Sequence, residues 1–197
     1  MQTVYIETTV IGHIAGRLHP AAAVLARQQV TREWWRSAPD RYELFVSDLV
    51  LAECGAGDAV AAHERLEVMA DIDVLRTTNA ANELAAALIA AQAVPESEPR
   101  DALHIALAAI NGMNYLATWN FKHIMNPSIQ HLIDDVCHGW LLLQTGEVLK
   151  EFDALATKDL CQKTDPTISH GLTNSPAVVP GTRRIDLRQP ITQDSEV

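Results

Sequence analysis

Four short apolar runs, each too brief for a helix and each followed by polar residues and then helical spacing, limit what this chain can fold into. Residues 3–6, 42–46, 71–75 and 115–118 are bounded by polar or turn residues. All but the weaker third run carry the β-branched and aromatic side chains that suit a pleated strand. Helical patterns fall between them. Residues 10–16 and 21–35 form the first two, the latter with Val24, Leu25, Val30, Trp34 and Trp35 on its apolar side. A short helix bears Leu49, Val50, Leu51 and Glu53; residues 59–69 and 79–93 follow, and an Ala/Leu/Ile-rich helix runs from Asp101 to Asn111 and stops at Gly112. Such alternation predicts an α/β fold, because parallel neighbours need a crossover of about a dozen residues or more. The expected architecture is three-layer α/β/α with a mostly parallel sheet of four to five strands. Residues 140–143 are expected as the fifth, edge strand, after a helix over 129–136 and before a last helix over 145–155.

Local chemistry supports these boundaries. Thr8 or Thr9 can cap the helix after the first strand, Ser47-Asp48 the helix after the second and Asp58 the next, while Pro99 stands at the helix start before Asp101. Beyond residue 156 the periodicity fails and Thr, Pro, Ser, Asp, Gln and Gly dominate. Residues 1–155 are therefore expected as the folded domain, and 156–197 as a flexible tail or an arm that orders on a partner.

The charge balance, 15 basic against 25 acidic side chains for a net −10, disfavours nonspecific adhesion to nucleic acid or anionic membrane. It does not disfavour a nuclease, since a metal-binding carboxylate cluster also makes a chain acidic. Cys54, Cys137 and Cys161 are few, odd in number and far apart, which points away from disulfides or zinc and toward a reducing compartment. No apolar run nears the roughly 20 residues that span a bilayer, and no signal-peptide pattern opens the chain. A cytoplasmic protein is expected. Glycine-rich nucleotide loops, zinc-protease helices and hydrolase elbows have no motif here.

Ligands of open α/β sheets bind outside the carboxyl ends of parallel strands. Glu7 after the first strand, Glu53 on the helix after the second and Asp101 at the start of the helix feeding the fourth can meet there, beside Thr118, Trp119 and Asn120. Three carboxylates in one cleft repel one another unless a divalent cation offsets their charge. Oxygen ligands with open positions suit Mg²⁺ or Mn²⁺, and such a centre polarises a phosphodiester and activates water. Plainer readings stand beside this one. Asp101 can be a helix cap alone, Glu53 can face solvent, and Thr9 can be a cap that also bonds a carboxylate. His104 and His123 can be core or surface histidines, and the domain can carry no site at all.

Four segments in order sharpen the choice: Val4-Tyr5-Ile6-Glu7-Thr8-Thr9-Val10, Ser47-Asp48-Leu49-Val50-Leu51-Ala52-Glu53, Asp101-Ala102-Leu103-His104-Ile105-Ala106-Leu107-Ala108 and Tyr115-Leu116-Ala117-Thr118-Trp119-Asn120. Over about residues 2–150 the chain resembles the PIN-domain family and, within it, the VapC-like toxins of bacterial toxin–antitoxin pairs. The resemblance implies metal-dependent hydrolysis of RNA, with Glu7, Glu53 and Asp101 as ligands of Mg²⁺ or Mn²⁺, Asn120 at the fourth position and Thr9 beside the first. An antitoxin protein and a second copy of the chain, as a homodimer, are the partners it implies. Two departures carry consequences. Glu7 stands where aspartate is usual, so either the metal sits further from the strand or the side chain folds back. Asn120 stands where an acid is usual, which favours one tightly held ion and leaves an inactive PIN-like binding or scaffold protein as the alternative. Arg17, Arg27, Arg32, Arg36 and Lys122 are the expected RNA-phosphate contacts, with binding that weakens as salt rises.

Overall fold

The computed structural model describes residues 1–145. Strands β1 (Gln2–Ile6), β2 (Tyr42–Ser47), β3 (Asp73–Leu75) and β4 (Tyr115–Ala117) form one parallel sheet in the order β3-β2-β1-β4. Val4 pairs with Leu44 on one side and Tyr115 on the other. With both edges of β1 bonded, Val4, Tyr5 and Ile6 are all buried without alternation, as a strand covered on both faces requires. At the sheet's edge β3 is only three residues long, which leaves little unpaired backbone for another chain to join.

Helices α1 (Thr8–Ala15) and α2 (Ala22–Ser37) join β1 to β2, and α3 (Asp48–Cys54) and α4 (Ala59–Val68) join β2 to β3. Then α5 (Asn79–Ala90) and α6 (Pro99–Ile110) lead back to β4, and α7 (Gln130–Thr145) follows. Right-handed crossovers outward from β1 to β3, and then back past β1 to β4, put α1–α4 on one face and α5 and α6 on the other. The packing follows this division: α1 touches α2, α3 and α4, while α5, α6 and α7 pack together. This is the expected three-layer α/β/α fold. Buried alanines at 81 and 85 in α5 and at 102, 106 and 109 in α6 let those helices lie close, with Leu84, Leu88, Ile105 and Leu107 filling the space. Gly112 follows α6 with a φ of 60°, a left-handed turn that glycine adopts without a Cβ clash, and the chain then enters β4.

Ser47 and Asp58 cap α3 and α4 as expected, accepting from Val50 N at 3.2 Å and Ala61 N at 3.0 Å. Three details differ from expectation. First, residues 140–143 belong to α7 and are not a fifth strand: Ile133, Cys137 and Leu141 recur every fourth position and are all buried, a helical period that a short apolar run conceals when read alone. Second, α1 is capped by Glu7, not by Thr8 or Thr9. Third, α6 begins at Pro99 after Glu98, so Asp101 is not a cap but lies in the first turn, with its side chain available to other partners. Beyond Thr145, which ends α7, the expected helix over 145–155, the domain boundary at 155 and the tail over 156–197 lie outside the described residues. Cys54 and Cys137 are buried, and burial pushes their thiols up to about 11 and about 12; they act as small apolar filler.

Candidate active site

The strand order reverses beside β1, because β2 and β3 extend from one of its edges and β4 returns on the other. The carboxyl ends of β1 and β4 flank that reversal, where open α/β sheets leave a crevice. The Glu7 N–H donates to Ala117 O at 3.0 Å, which carries the pairing one residue past β1 and fixes where the Glu7 side chain starts.

Glu7 is 4% exposed and folds back over the start of α1. Its Oε2 accepts from Thr9 N at 3.1 Å, from the Thr9 hydroxyl and from the Thr118 hydroxyl at 2.8 Å. Both hydroxyls accept in turn from the segment after β4, Thr9 from Trp119 N and Thr118 from Asn120 N, each at 2.9 Å. The extra methylene of glutamate is what lets one carboxylate reach both its own helix start and the end of β4.

Glu53 sits near the end of α3. Its Oε2 accepts from the Thr8 hydroxyl and from His104 Nε2 at 3.1 Å, while the exposed Arg100 guanidinium stands 3.6 Å from Oε1. That last distance is an ion pair without a hydrogen bond. Burial alone would push the Glu53 carboxyl up, but the hydrogen bonds from His104 and Thr8, with the Arg100 charge, hold it below its ordinary value of 4.5. The sign of the stability effect follows. Glu53 contributes stability that is complete above pH 4.5 and is lost as pH falls through its lower folded value. In urea unfolding from about pH 6 to about pH 3, Glu53→Gln is expected to lose less stability than the wild type; equal slopes would show that these bonds contribute nothing.

Asp101 completes the set from α6. Its Oδ2 accepts from Asn120 Nδ2 at 2.9 Å and from His123 Nδ1 at 2.8 Å, and Asn120 Oδ1 accepts from His123 N at 3.0 Å. Both ends of the Asn120 amide are thus engaged in holding Asp101 and its neighbouring turn.

One pattern unites the three acids. In each, one oxygen takes the protein's hydrogen bonds, while Glu7 Oε1, Glu53 Oε1 and Asp101 Oδ1 take none among the described residues. No buried side-chain oxygen among those residues lacks a hydrogen-bond partner, so these three oxygens reach solvent. Thr9, Thr118 and Asn120 link Glu7 to Asp101, while Thr8 and His104 hold Glu53. Among the described residues, the His/Cys/Asp/Glu set whose ligand atoms all lie within 4.8 Å is Glu98, Asp101 and His123. Oxygens sharing one Mg²⁺ lie at most about 4.2 Å apart, so Glu7, Glu53 and Asp101 as placed do not all meet on one ion.

The expected basic residues are dispersed. Arg32 bonds the carbonyls of Ile14, at 2.9 Å, and Gly16, which ties α2 to the end of α1. Arg27 lies 5.4 Å from the centre of the Trp119 ring, on which His13 stacks at 5.7 Å. Arg17 lines a groove of about 580 Å³ between α1 and α4 with Asp58, Glu64 and Arg65. Arg36 is exposed near the end of α2 and Lys122 on the turn after Asn120.

Glu7, the end of β4 and the first turn of α6 fall within residues 4–122, and over those residues the chain matches the sequence pattern of the PIN domain. The chain belongs to the PIN domain family. Comparison with curated proteins and with solved structures found no match. PIN domains are generally nucleases that use divalent metals and act on RNA, and the acidic cluster here could hold such a metal. No helix among the described residues is long and apolar enough to cross a membrane. Sequence reasoning missed Glu98 and Arg100 in this PIN domain; it read Thr8 as a helix cap and His123 as a core or surface histidine, and it placed Thr118 beside the acids without giving it a partner. The i, i+3 spacing of Glu98 and Asp101, one helical turn, was the one signal that could have drawn attention to the first acid.

Proposed function

We propose that this PIN domain is a divalent-metal-dependent endoribonuclease, and that it acts as the cytoplasmic toxin of a toxin–antitoxin pair. The observation that carries the nuclease reading is the shared division of labour in Glu7, Glu53 and Asp101: one oxygen hydrogen-bonded to the protein, the other taking no hydrogen bond and reaching solvent. That arrangement leaves each acid one oxygen to give to a cation that draws the three together. Mg²⁺ or Mn²⁺ held there would polarise the phosphodiester and activate water. Asp101 is shared between the three carboxylates and the compact set with Glu98 and His123, whose imidazole nitrogen favours Mn²⁺ over the harder Mg²⁺. Thr9 and Thr118 fix Glu7, and Asn120 fixes Asp101. Arg27, Lys122 and Arg100 lie nearest these residues in sequence or contact and are the cations we assign to RNA phosphates, with Arg17 and Arg36 further along the strand's path. The resemblance to VapC-like toxins supports the antitoxin partner and the homodimer.

The test is cleavage of mixed cellular RNA with Mg²⁺ or Mn²⁺ and after chelation. Cleavage is expected with metal, none with chelator, and less as salt rises. No metal-dependent cleavage together with no saturable Mn²⁺ binding by calorimetry would leave the scaffold reading instead.

A further inference from the structure

Behind Glu53 runs a line of buried polar groups that the hydrolytic reading does not use. His104, on α6 and 1% exposed, places Nε2 3.1 Å from Glu53 Oε2 and Nδ1 2.8 Å from the Tyr5 hydroxyl. The Tyr5 oxygen is 2.8 Å from Ser47 Oγ, which accepts the Val50 N–H at 3.2 Å. Tyr5 and Ser47 are fully buried.

The direction of each proton follows from what each group has to give. Val50 N only donates, so Ser47 Oγ accepts there, and the hydroxyl hydrogen of Ser47 goes to its other neighbour, the Tyr5 oxygen. Tyr5 then gives its own hydrogen to His104 Nδ1. A ring nitrogen that accepts leaves the hydrogen on the other, so Nε2–H donates to Glu53 Oε2, as a carboxylate needs. Reversing the chain would strand a Ser47 hydroxyl hydrogen in the core, which costs about 1–3 kcal/mol. The line also closes on itself: Ser47 caps α3 and Glu53 lies in its last turn, so the bonds leave α3 at its start, cross β1 and α6, and return at its last turn.

We propose that His104 is a positioning residue, fixed as its Nε2–H tautomer by Tyr5 and Ser47, which holds Glu53 Oε2 and so aims Glu53 Oε1 at the crevice where cation and phosphate bind. The assignment rests on the metal-dependent reading above. Three elements fix the Glu53 carboxylate, through Thr8 of α1, His104 of α6 and α3 itself, and only His104 has a buried partner that dictates which of its nitrogens carries the hydrogen.

Three variants of the full chain test this. His104→Gln keeps an N–H donor near the place of Nε2, His104→Leu keeps volume without the donor, and Tyr5→Phe keeps the ring and removes what fixes its tautomer. His104→Leu is expected to lower kcat and Mn²⁺ affinity by about 10–100-fold with the KM for RNA little changed, and His104→Gln to recover most of both. Independently of activity, imidazole ¹⁵N–¹H correlation spectra of the metal-free protein are expected to show Nε2–H in the wild type, with the Nδ1 shift of an accepting nitrogen, and in Tyr5→Phe an Nδ1 shift moved to that of a nitrogen without a hydrogen bond and a faster-exchanging Nε2–H. A wild-type ring protonated on Nδ1 would overturn the assignment. So would a folded His104→Leu with unchanged kcat and Mn²⁺ affinity, or a His104→Gln as impaired as His104→Leu. Failure of the nuclease reading has a different signature, a wild type that cleaves no RNA at any Mg²⁺ or Mn²⁺ concentration. The imidazole spectra of wild type and Tyr5→Phe, which require neither metal nor a folded His104→Leu, then decide whether Tyr5 and Ser47 fix the His104 hydrogen toward Glu53.

Discussion

Asp101→Asn is expected to abolish metal-dependent RNA cleavage, by about 10²–10³-fold or more, while the protein stays folded. A metal centre supplies several kcal/mol to a phosphodiester transition state, and each ~1.4 kcal/mol lost is about tenfold in rate. Asp101 is the acid common to both candidate ligand sets, so removing its charge weakens either one. The side chain is 15% exposed and accepts two hydrogen bonds on Oδ2. An asparagine oxygen can keep those bonds if its amide nitrogen turns to solvent, so the stability loss should stay near 1 kcal/mol. The checks are initial cleavage rates in Mn²⁺ and thermal unfolding of the same preparation. Undiminished cleavage by a folded Asp101→Asn would remove Asp101 from the site.

Asn120 shows why the fourth position could be found from the chain but not interpreted. Its place after β4 was legible from the short apolar run ending at Thr118, and an amide there reads in sequence as an acid that has lost its charge. The structure gives it two tasks, and the first is one an ionised acid cannot perform: Nδ2 donates to Asp101, while Oδ1 accepts from His123 N. An aspartate at 120 would set two carboxylates against each other. His104 was legible as a core histidine on an apolar helix, and it is one. Its partner Tyr5 lies 99 residues from it, and Ser47, which bonds Tyr5, lies 42 residues from Tyr5 along the chain, a convergence that only the sheet creates. Arg32 follows the same logic in the other direction: the sequence set it among the expected RNA-phosphate contacts, but its bonds go to the carbonyls of Ile14 and Gly16 at the end of another helix. The four strands, the caps at Ser47 and Asp58 and the acids were local properties and could be read, whereas the cap of α1 and the helical run at 140–143 could not. Partners set by topology could not.

Glu7 carries the largest stability effect, because the same oxygen serves α1 and the end of β4. In Glu7→Ala the helix loses its cap, worth about 1 kcal/mol, and the Thr9 and Thr118 hydroxyls lose their acceptor, each at about 1 kcal/mol or more when buried. A total near 3 kcal/mol is expected, lowering Tm by about 6–12 °C, together with loss of cleavage. Two further variants separate the roles. Glu7→Gln keeps an oxygen for Thr9 and Thr118 but has no charge to offer a cation, so it should lose cleavage about as fully as Asp101→Asn while losing roughly 1 kcal/mol of stability. Glu7→Asp restores the residue usual at this position of the resemblance and remains a good cap, but it is one methylene shorter. It should keep the bond to Thr9 N and forfeit the one to Thr118 at 2.8 Å, freeing the segment that positions Asn120 and through it Asp101. Cleavage by Glu7→Asp should therefore fall even though its charge is intact. If Glu7→Asp equals the wild type in both Tm and cleavage, the folded-back glutamate is not what couples β1 to β4.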